Sequence, residues 1–317
     1  MRNIKQHIPK TIKKMYRAIH TYIHTYIKKE RKTSQTKIAE KVILFLETEK
    51  RKNGIDKDKQ NILDFLKKHK NKMSAKKYYE LIYPYNYTKK YNTDKYPIYR
   101  DENNYYIIHN NHKLFFSSEY DEGRVRLWYK MMLMEQDVDS PHKYESEGYE
   151  VLEGDIIAEV GTAEGMWTLS SIEKVKKAYL FERDEKWCIA LRKTFEPFKD
   201  KVVIINKFVS DISNDNSTSI DNFLNGTELN FIKADIDGNE IKLVKGAKDT
   251  MNNNNNLRLC LCTYHWQNDA DELENYLKEN SYQTEFSRGY MIYSSDGQYI
   301  PPYLRHGIIR AKKQNIL

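Results

Sequence analysis

The sequence predicts an α/β fold built on a doubly wound, mostly parallel sheet, with a helical extension at the N-terminus. Three observations predict it. From Gly154 onward, short apolar runs alternate five times with stretches of helical length, the pattern that places parallel strands between two helical layers. The first such run, "DIIAEV", leads into the glycine-bearing turn "GTAEG", as expected where a strand hands over to a helix. The charge, finally, is divided. Residues 1–80 hold 23 Lys/Arg against 8 Asp/Glu, a net of +15, whereas the remainder holds 30 against 37, a net of −7. A basic module is thus set apart from a mildly acidic body.

The first 32 residues carry Ile4, Ile8, Ile12, Tyr16, Ile19, Ile23 and Ile27 at helical spacing with Lys and Arg between them, an amphipathic pattern that Pro9 starts or kinks. "KIAEKVILFLETEKRK" from Lys37 and "DKQNILDFLKKHK" from Asp58 are further helices, parted by the turn "NGIDK". Residues 1–80 are therefore read as a basic helical module. Its first helix could lie on an anionic membrane surface or an acidic protein partner, although packing of the apolar stripe on the protein's own core is preferred.

Residues 81–150 form a bridge. It is tyrosine-rich and broken by Pro84 and Pro97; then "YYIIHNNHKLFF" reads as a hairpin turning at Asn110-Asn111, and "EGRVRLWYKMMLMEQDVDSPHKYE" as a helix ended by Asp139-Ser140-Pro141. Residues 151–317 carry the alternation. "DIIAEV", "AYLFE", "VVIINKFV", "LNFIKADI" and "LRLCLCTYH" are strands; "GMWTLSSIEKVKK", "DEKWCIALRKTFEPF", "SIDNFL", "NEIKLVKGAKDTM" and "DADELENYLKEN" are helices; "YQTEF", "YMIYS" and "HGIIRAK" are closing strands. A ligand belongs beyond the carboxyl ends of the parallel strands.

Composition excludes several classes. No uninterrupted apolar run has membrane-spanning length, and the charged N-terminus lacks the apolar core and cleavage site of a secretory signal. A cytoplasmic location is expected, with the basic helices as a means of peripheral contact with the inner face of the membrane. Cys188, Cys260 and Cys262 are too few for a disulfide framework or a zinc knuckle. Cys260 and Cys262 alternate within one strand and so share a face as packed thiols.

The turn after the first strand narrows the ligand. A dinucleotide site asks for G-x-G-x-x-G, whereas Gly161 and Gly165 are spaced G-x-x-x-G and Glu159 precedes them. A carboxylate there repels a pyrophosphate and suits an ammonium group. Glu182, ending the second strand, suits ribose hydroxyls. A ligand with a ribose and a cationic amino-acid end but no phosphates fits both, and S-adenosylmethionine answers that description.

The blocks "DIIAEVGTAEG", "YLFE", "VSD", "TSIDNFL", "FIKADIDGNEIKLVKGA" and "LCTYH" resemble, in order and spacing, those of the FkbM-type S-adenosylmethionine-dependent methyltransferases, over roughly residues 130–312. That family usually has Asp where this chain has Glu159. The resemblance implies a Rossmann-like class I methyltransferase sheet in which Gly161, Thr162, Ala163 and Gly165 line the methionine and ribose part of the cofactor, with Glu159 near its amino group. It further implies Glu182 on the ribose, Ser210 and Asp211 near the adenine and Asp235 beside the methionine end. Its members generally make O-methyl products, often on sugars or sugar-bearing natural products.

Asp235, Asp237, Glu240 and His265 all fall at the carboxyl ends of the fourth and fifth strands and are the candidates for proton transfer. His265, which titrates near neutrality, is the first choice for base. "DIDGNE" is weighed as a Mg²⁺ site, but the reading without a metal is preferred; it is no calcium loop, since the sixth and twelfth positions from Asp235 are Glu240 and Gly246. "IPPY" at 300–303 is set aside because a base-clamping element belongs directly after the fourth strand, and the asparagine run at 252–256 is a loop. The leading function is O-methyl transfer to a saccharide, a glycolipid or surface-glycan precursor, or another small molecule. A nucleic-acid methyltransferase is the second choice, disfavoured by the acidic body; a catalytically silent binding module is the third.

Overall fold

The structure is a computed structural model that describes residues 36–70, 78–293 and 300–313. The amphipathic pattern of residues 1–32 lies outside them. The chain divides into two compact units, Met1–Tyr85 and Asn86–Leu317, so the greater part of the expected bridge belongs to the same unit as the large sheet. In the first unit α1 covers 36–52 and α2 covers Lys57–His69. Asp56 starts α2 by accepting the Lys59 N–H at 2.7 Å, and Ile62, Leu63, Phe65 and Leu66 form its buried stripe. A short α3, Tyr78–Ile82, follows.

The second unit begins with a three-stranded antiparallel sheet, β1 (Ile98–Asp101), β2 (Asn104–His109) and β3 (His112–Phe115). Asn110 and Asn111, at φ 48° and 67°, make the expected two-residue turn between β2 and β3. β1 is an addition to that hairpin. Helix α4, Glu122–Glu135, is capped by Asp121 and ends sooner than its apolar pattern suggests.

The large sheet contains β4 (Ile156–Val160), β5 (Lys177–Phe181), β6 (Val202–Ile205), β9 (Phe231–Ala234), β10 (Arg258–Cys262), β11 (Tyr282–Phe286) and β12 (Ile308–Lys313), with the two-residue strands β7 (Phe208–Val209) and β8 (Ser217–Thr218) paired beside it. Its order is β11-β12-β10-β9-β4-β5-β6. Strands β10, β9, β4, β5 and β6 run parallel, and β12 is inserted antiparallel to both β10 and β11. The chain enters at the centre, builds outward through β5 and β6, and then returns to build the other side from β9. That reversal opens a crevice beyond the ends of β4 and β9. Ala158, Val160, Ile232, Ala234, Leu259 and Leu261 are buried in the core, as expected of strands covered on both faces.

Helices α5 (Met166–Ser171), α6 (Glu185–Thr194), α7 (Ile220–Leu224), α8 (Glu240–Lys245), α9 (Lys248–Asn253) and α10 (Asp269–Glu279) connect the strands. Some sequence expectations need correction. α5 is short because Gly154 donates to the Lys174 carbonyl and Lys176 to that of Asp155, which draws the chain out of the helix and into β5. "VVIINKFV" is broken after Ile205, where the Asn206 amide bonds the carbonyls of Glu182 and Arg183. "NEIKLVKGAKDTM" is two helices parted at Gly246-Ala247. The described part of "YMIYS", residues 290–293, forms no strand; its Met291 makes an isolated bridge with Arg305. Among the described residues, no helix is long and apolar enough to cross a membrane.

Candidate cofactor and acceptor site

The turn after β4 is shaped by its contact with β9. Gly161 has φ 74°, and a Cβ on it would stand 1.9 Å from the Asp235 carbonyl oxygen, so only glycine lets the two loop backbones meet. Ala163 is also left-handed, at φ 47°, a strained conformation for a residue with a side chain. It is held by Glu182, whose Oε2 accepts the Ala163 N–H at 2.9 Å while Oε1 accepts that of Asp184 at 2.8 Å. Burial raises the Glu182 carboxyl above its ordinary value, opposed by these two bonds. A carboxylate has about four lone-pair sites, so two remain for the hydroxyls of a ribose. The Thr162 hydroxyl turns inward, donating to the carbonyls of Glu159 and Phe181 at 3.1 and 3.2 Å, and so locks the turn.

Glu159 is buried, 1% exposed, and is paired with a cation of the chain. It faces Lys233 across the β4–β9 register, with Oε1 3.2 Å from Lys233 Nζ and Oε2 accepting from Thr168 Oγ1 at 2.5 Å. Lys233 also donates to the Gly161 carbonyl at 3.2 Å and lies 4.8 Å from the centre of the Tyr144 ring. The ammonium that the sequence assigned to a ligand is therefore supplied by the chain itself. Sequence reasoning missed Lys233, although a lysine in an apolar strand flanked by candidate carboxylates was the available signal.

Other carboxyls surround the turn. Glu164 accepts from Trp128 Nε1 at 2.8 Å, and burial pushes it up to about 7. Glu135 is likewise pushed up to about 7 by burial, with the His142 charge acting against the rise. An acid-rich pocket of this kind suits a cationic ligand end without dedicating one carboxylate to it.

Asp235 is the centre of a polar cluster after β9. Its side chain is 25% exposed, and it accepts from Tyr144 Oη at 3.1 Å and from Tyr264 Oη at 3.2 Å. His265 Nε2 stands 3.3 Å away and His142 Nε2 3.6 Å. Burial would raise this carboxyl, but the imidazoles of His142 and His265 prevail and hold it well below its ordinary value. His142, Tyr144 and Tyr264 come from "SPHKY" and "CTYH", blocks whose phenols and first imidazole were given no role from sequence.

The catalytic candidates thus separate. His265 Nδ1 lies 3.4 Å from Glu240 Oε1; burial opposes its charge, yet the two carboxylates push it up to about 10. An imidazolium at neutral pH cannot serve as the base expected of it. Glu240 is 1% exposed and bonds the Ile236 N–H at 2.8 Å, fixing its own turn. Asp237, 79% exposed, points away and pairs with Arg183 at 3.7 Å. Ser210 and Asp211 follow β7 and not β6, with Ser210 Oγ donating to Asp211 Oδ1 at 2.9 Å.

Two groups, His142/Asp235/Cys262 and Asp235/Glu240/His265, bring ligand atoms within 4.8 Å of one another. In the second, opposite ring nitrogens of His265 face different carboxylates, which leaves neither directed at a common ion. In the first, the Tyr264 hydroxyl lies 3.0 Å from His142 Nε2 and close to both Asp235 oxygens. Each mixes nitrogen or sulfur with carboxylate oxygen, a donor set that suits Mg²⁺ less than oxygen ligands alone.

Counted within the large sheet, the strand order is 3-2-1-4-5-7-6 with the seventh antiparallel. The fold is the Rossmann-like, doubly wound sheet expected from the sequence, with an antiparallel seventh strand. Among solved structures the chain is similar to a methyltransferase FkbM from Methylobacillus flagellatus, with 15% identity over 61% of this chain and 55% of that one and a TM-score of 0.42. It therefore spans about half the length of that protein. It is also similar to a precorrin-6y C5,15-methyltransferase from Geobacter metallireducens (10% identity, 53% and 84% covered, TM-score 0.38). A third is a Streptococcus mutans protein in complex with S-adenosylhomocysteine (14% identity, 53% and 93% covered, TM-score 0.36). No family model matches the sequence, and no curated protein does.

Proposed function

We propose that the chain is an S-adenosylmethionine-dependent O-methyltransferase acting on a hydroxyl of a saccharide or glycolipid precursor. One observation carries the cofactor half of this reading: Glu182, at the end of β5, reaches back to the Ala163 N–H of the turn after β4 and keeps lone pairs free beside it. The ribose of an adenosine fits that arrangement, and the G-x-x-x-G spacing of Gly161 and Gly165, in place of G-x-G-x-x-G, is what speaks against a dinucleotide. The pocket carboxyls Glu135, Glu164 and Asp235 suit the cationic end, while Glu159 acts through Lys233 as a structural pair.

When bound, S-adenosylmethionine supplies an electrophilic methyl group. The chain's task is to hold an acceptor hydroxyl in line with it and to receive the hydroxyl proton. Asp235 is the group in place for that, being partly exposed at the crevice. As a carboxylate held low it is a weak base, but a hydroxyl oxygen acquiring a methyl group becomes strongly acidic, so a weak base suffices once bond formation is advanced. Tyr144, Tyr264, His142 and His265 fix its orientation. We also read the basic module of residues 1–80 as the part that meets an anionic membrane or an acidic partner; unchanged sedimentation with anionic vesicles after its deletion would contradict that.

The test of activity is transfer of an isotope-labelled methyl group from S-adenosylmethionine to sugar nucleotides and glycolipids, read by mass spectrometry. Label on an acceptor oxygen is the expected result. Label on RNA or DNA, or cofactor binding without transfer to any saccharide, would contradict it.

A further inference from the structure

The crevice has an aromatic rim that the cofactor reading does not use. Trp266 follows His265 directly after β10 and is 51% exposed, a costly placement for the largest apolar side chain. It is nevertheless fixed. Its backbone N–H donates to Asp269 at 2.7 Å, and its indole lies on Gly238 in the turn after β9. A Cβ on Gly238 would stand 2.0 Å from the indole nitrogen, so at this spot the ring has taken the room that any other side chain would need.

Beside Gly238, Asp237 is held at φ 53°, a left-handed conformation that aspartate tolerates in an Asp-Gly turn and that sets its side chain apart from that of Asp235. Its carboxylate meets the Arg183 guanidinium at 3.7 Å, both side chains being largely exposed. Arg183 directly follows Glu182. Exposed ion pairs contribute little, so a ligand's hydroxyls can exchange for this one readily. One aromatic side chain and a loosely paired carboxylate and guanidinium therefore stand after β10, β9 and β5, Trp266 being one residue from His265 and Asp237 two residues from Asp235.

We infer that Trp266, Asp237 and Arg183 form the acceptor subsite, in which the apolar face of a pyranose ring stacks on the indole and its hydroxyls bond the Asp237 carboxylate and the Arg183 guanidinium. The inference rests on the proposed function and adds to it the residues that select the acceptor. A sugar ring suits these groups because it presents C–H bonds on one face and hydroxyls at its edge. A polyanionic nucleic acid suits them less, since the exposed Asp237 belongs to a body of net charge −7.

The experiment uses the full chain saturated with S-adenosylhomocysteine, whose binding is measured first by calorimetry. Methyl glycosides of glucose, galactose, mannose, rhamnose, fucose and N-acetylglucosamine, with adenosine and uridine as comparators, are then titrated while binding is followed by saturation-transfer NMR. The same titrations are made on Trp266→Ala and Trp266→Phe, exposed-site variants that should fold and bind S-adenosylhomocysteine as the parent does. A saturable signal with at least one pyranoside is expected, absent in W266A; W266F should retain binding of that pyranoside, several-fold weaker. Response to no pyranoside, an equal response in W266A, or a response to nucleosides alone would overturn the subsite. Failure of S-adenosylhomocysteine to bind in the first step would instead overturn the function on which it rests.

Discussion

Glu159 and Lys233 face each other on adjacent strands, buried and paired at 3.2 Å. The carboxylate that marks the end of the first strand in the sequence is thus neutralised within the protein. This changes what its removal should do. Lys233→Met leaves Glu159 buried without its partner and should cost about 3–5 kcal/mol of stability, seen as a lower midpoint of urea unfolding. Pairing it with Glu159→Gln should recover much of that loss. A fully additive double variant would contradict the pairing.

Glu182 should behave differently, because it is arranged for a ligand as well as for the turn. Glu182→Gln should weaken S-adenosylhomocysteine binding roughly 10- to 100-fold, the range expected for loss of charge-assisted hydrogen bonds. Calorimetric titration checks it, and an unchanged affinity would remove Glu182 from the ribose.

Asp235 is expected to matter for turnover more than for cofactor affinity. Asp235→Asn should lower kcat by roughly 10²- to 10⁴-fold, the usual scale for proton transfer by a positioned group, with S-adenosylhomocysteine affinity changed much less. A loss confined to cofactor binding would give it a binding role instead.

The His265 pair carries a pH signature. Its folded-state pKa, about 10, lies above the unfolded value near 6.5, so its stabilisation is complete below about 6.5 and disappears as pH rises toward 10. Thermal unfolding of the parent should therefore decline across that window, by an amount on the order of a few kcal/mol. His265→Gln should be less stable at pH 6 and show a flatter profile above it. Parallel pH profiles for the two proteins would show that His265 is not charged in the native state.

These relationships also show what the sequence made legible. The alternation from Gly154 and the turn at Gly161 located the sheet and its crevice, because period and glycine placement are local properties. The closeness of Asp235 and His265 could be anticipated, since both end neighbouring parallel strands. Their protonation could not. It depends on Glu240 and His142, whose approach is set by tertiary packing and not by spacing along the chain. Lys233 was overlooked for the same reason: its partner lies on another strand, and register is invisible from one segment. Asp237 shared a motif with Asp235 but not its direction, because a left-handed turn sends its side chain outward.

The most direct measurement is calorimetric titration of the intact chain with S-adenosylhomocysteine and, separately, with NAD. Saturable binding of S-adenosylhomocysteine at one site per chain, without binding of NAD, is expected from the turn at Gly161 and the free lone pairs of Glu182. No binding of S-adenosylhomocysteine, or binding of NAD in its place, would contradict the assignment of the crevice and with it the proposed activity.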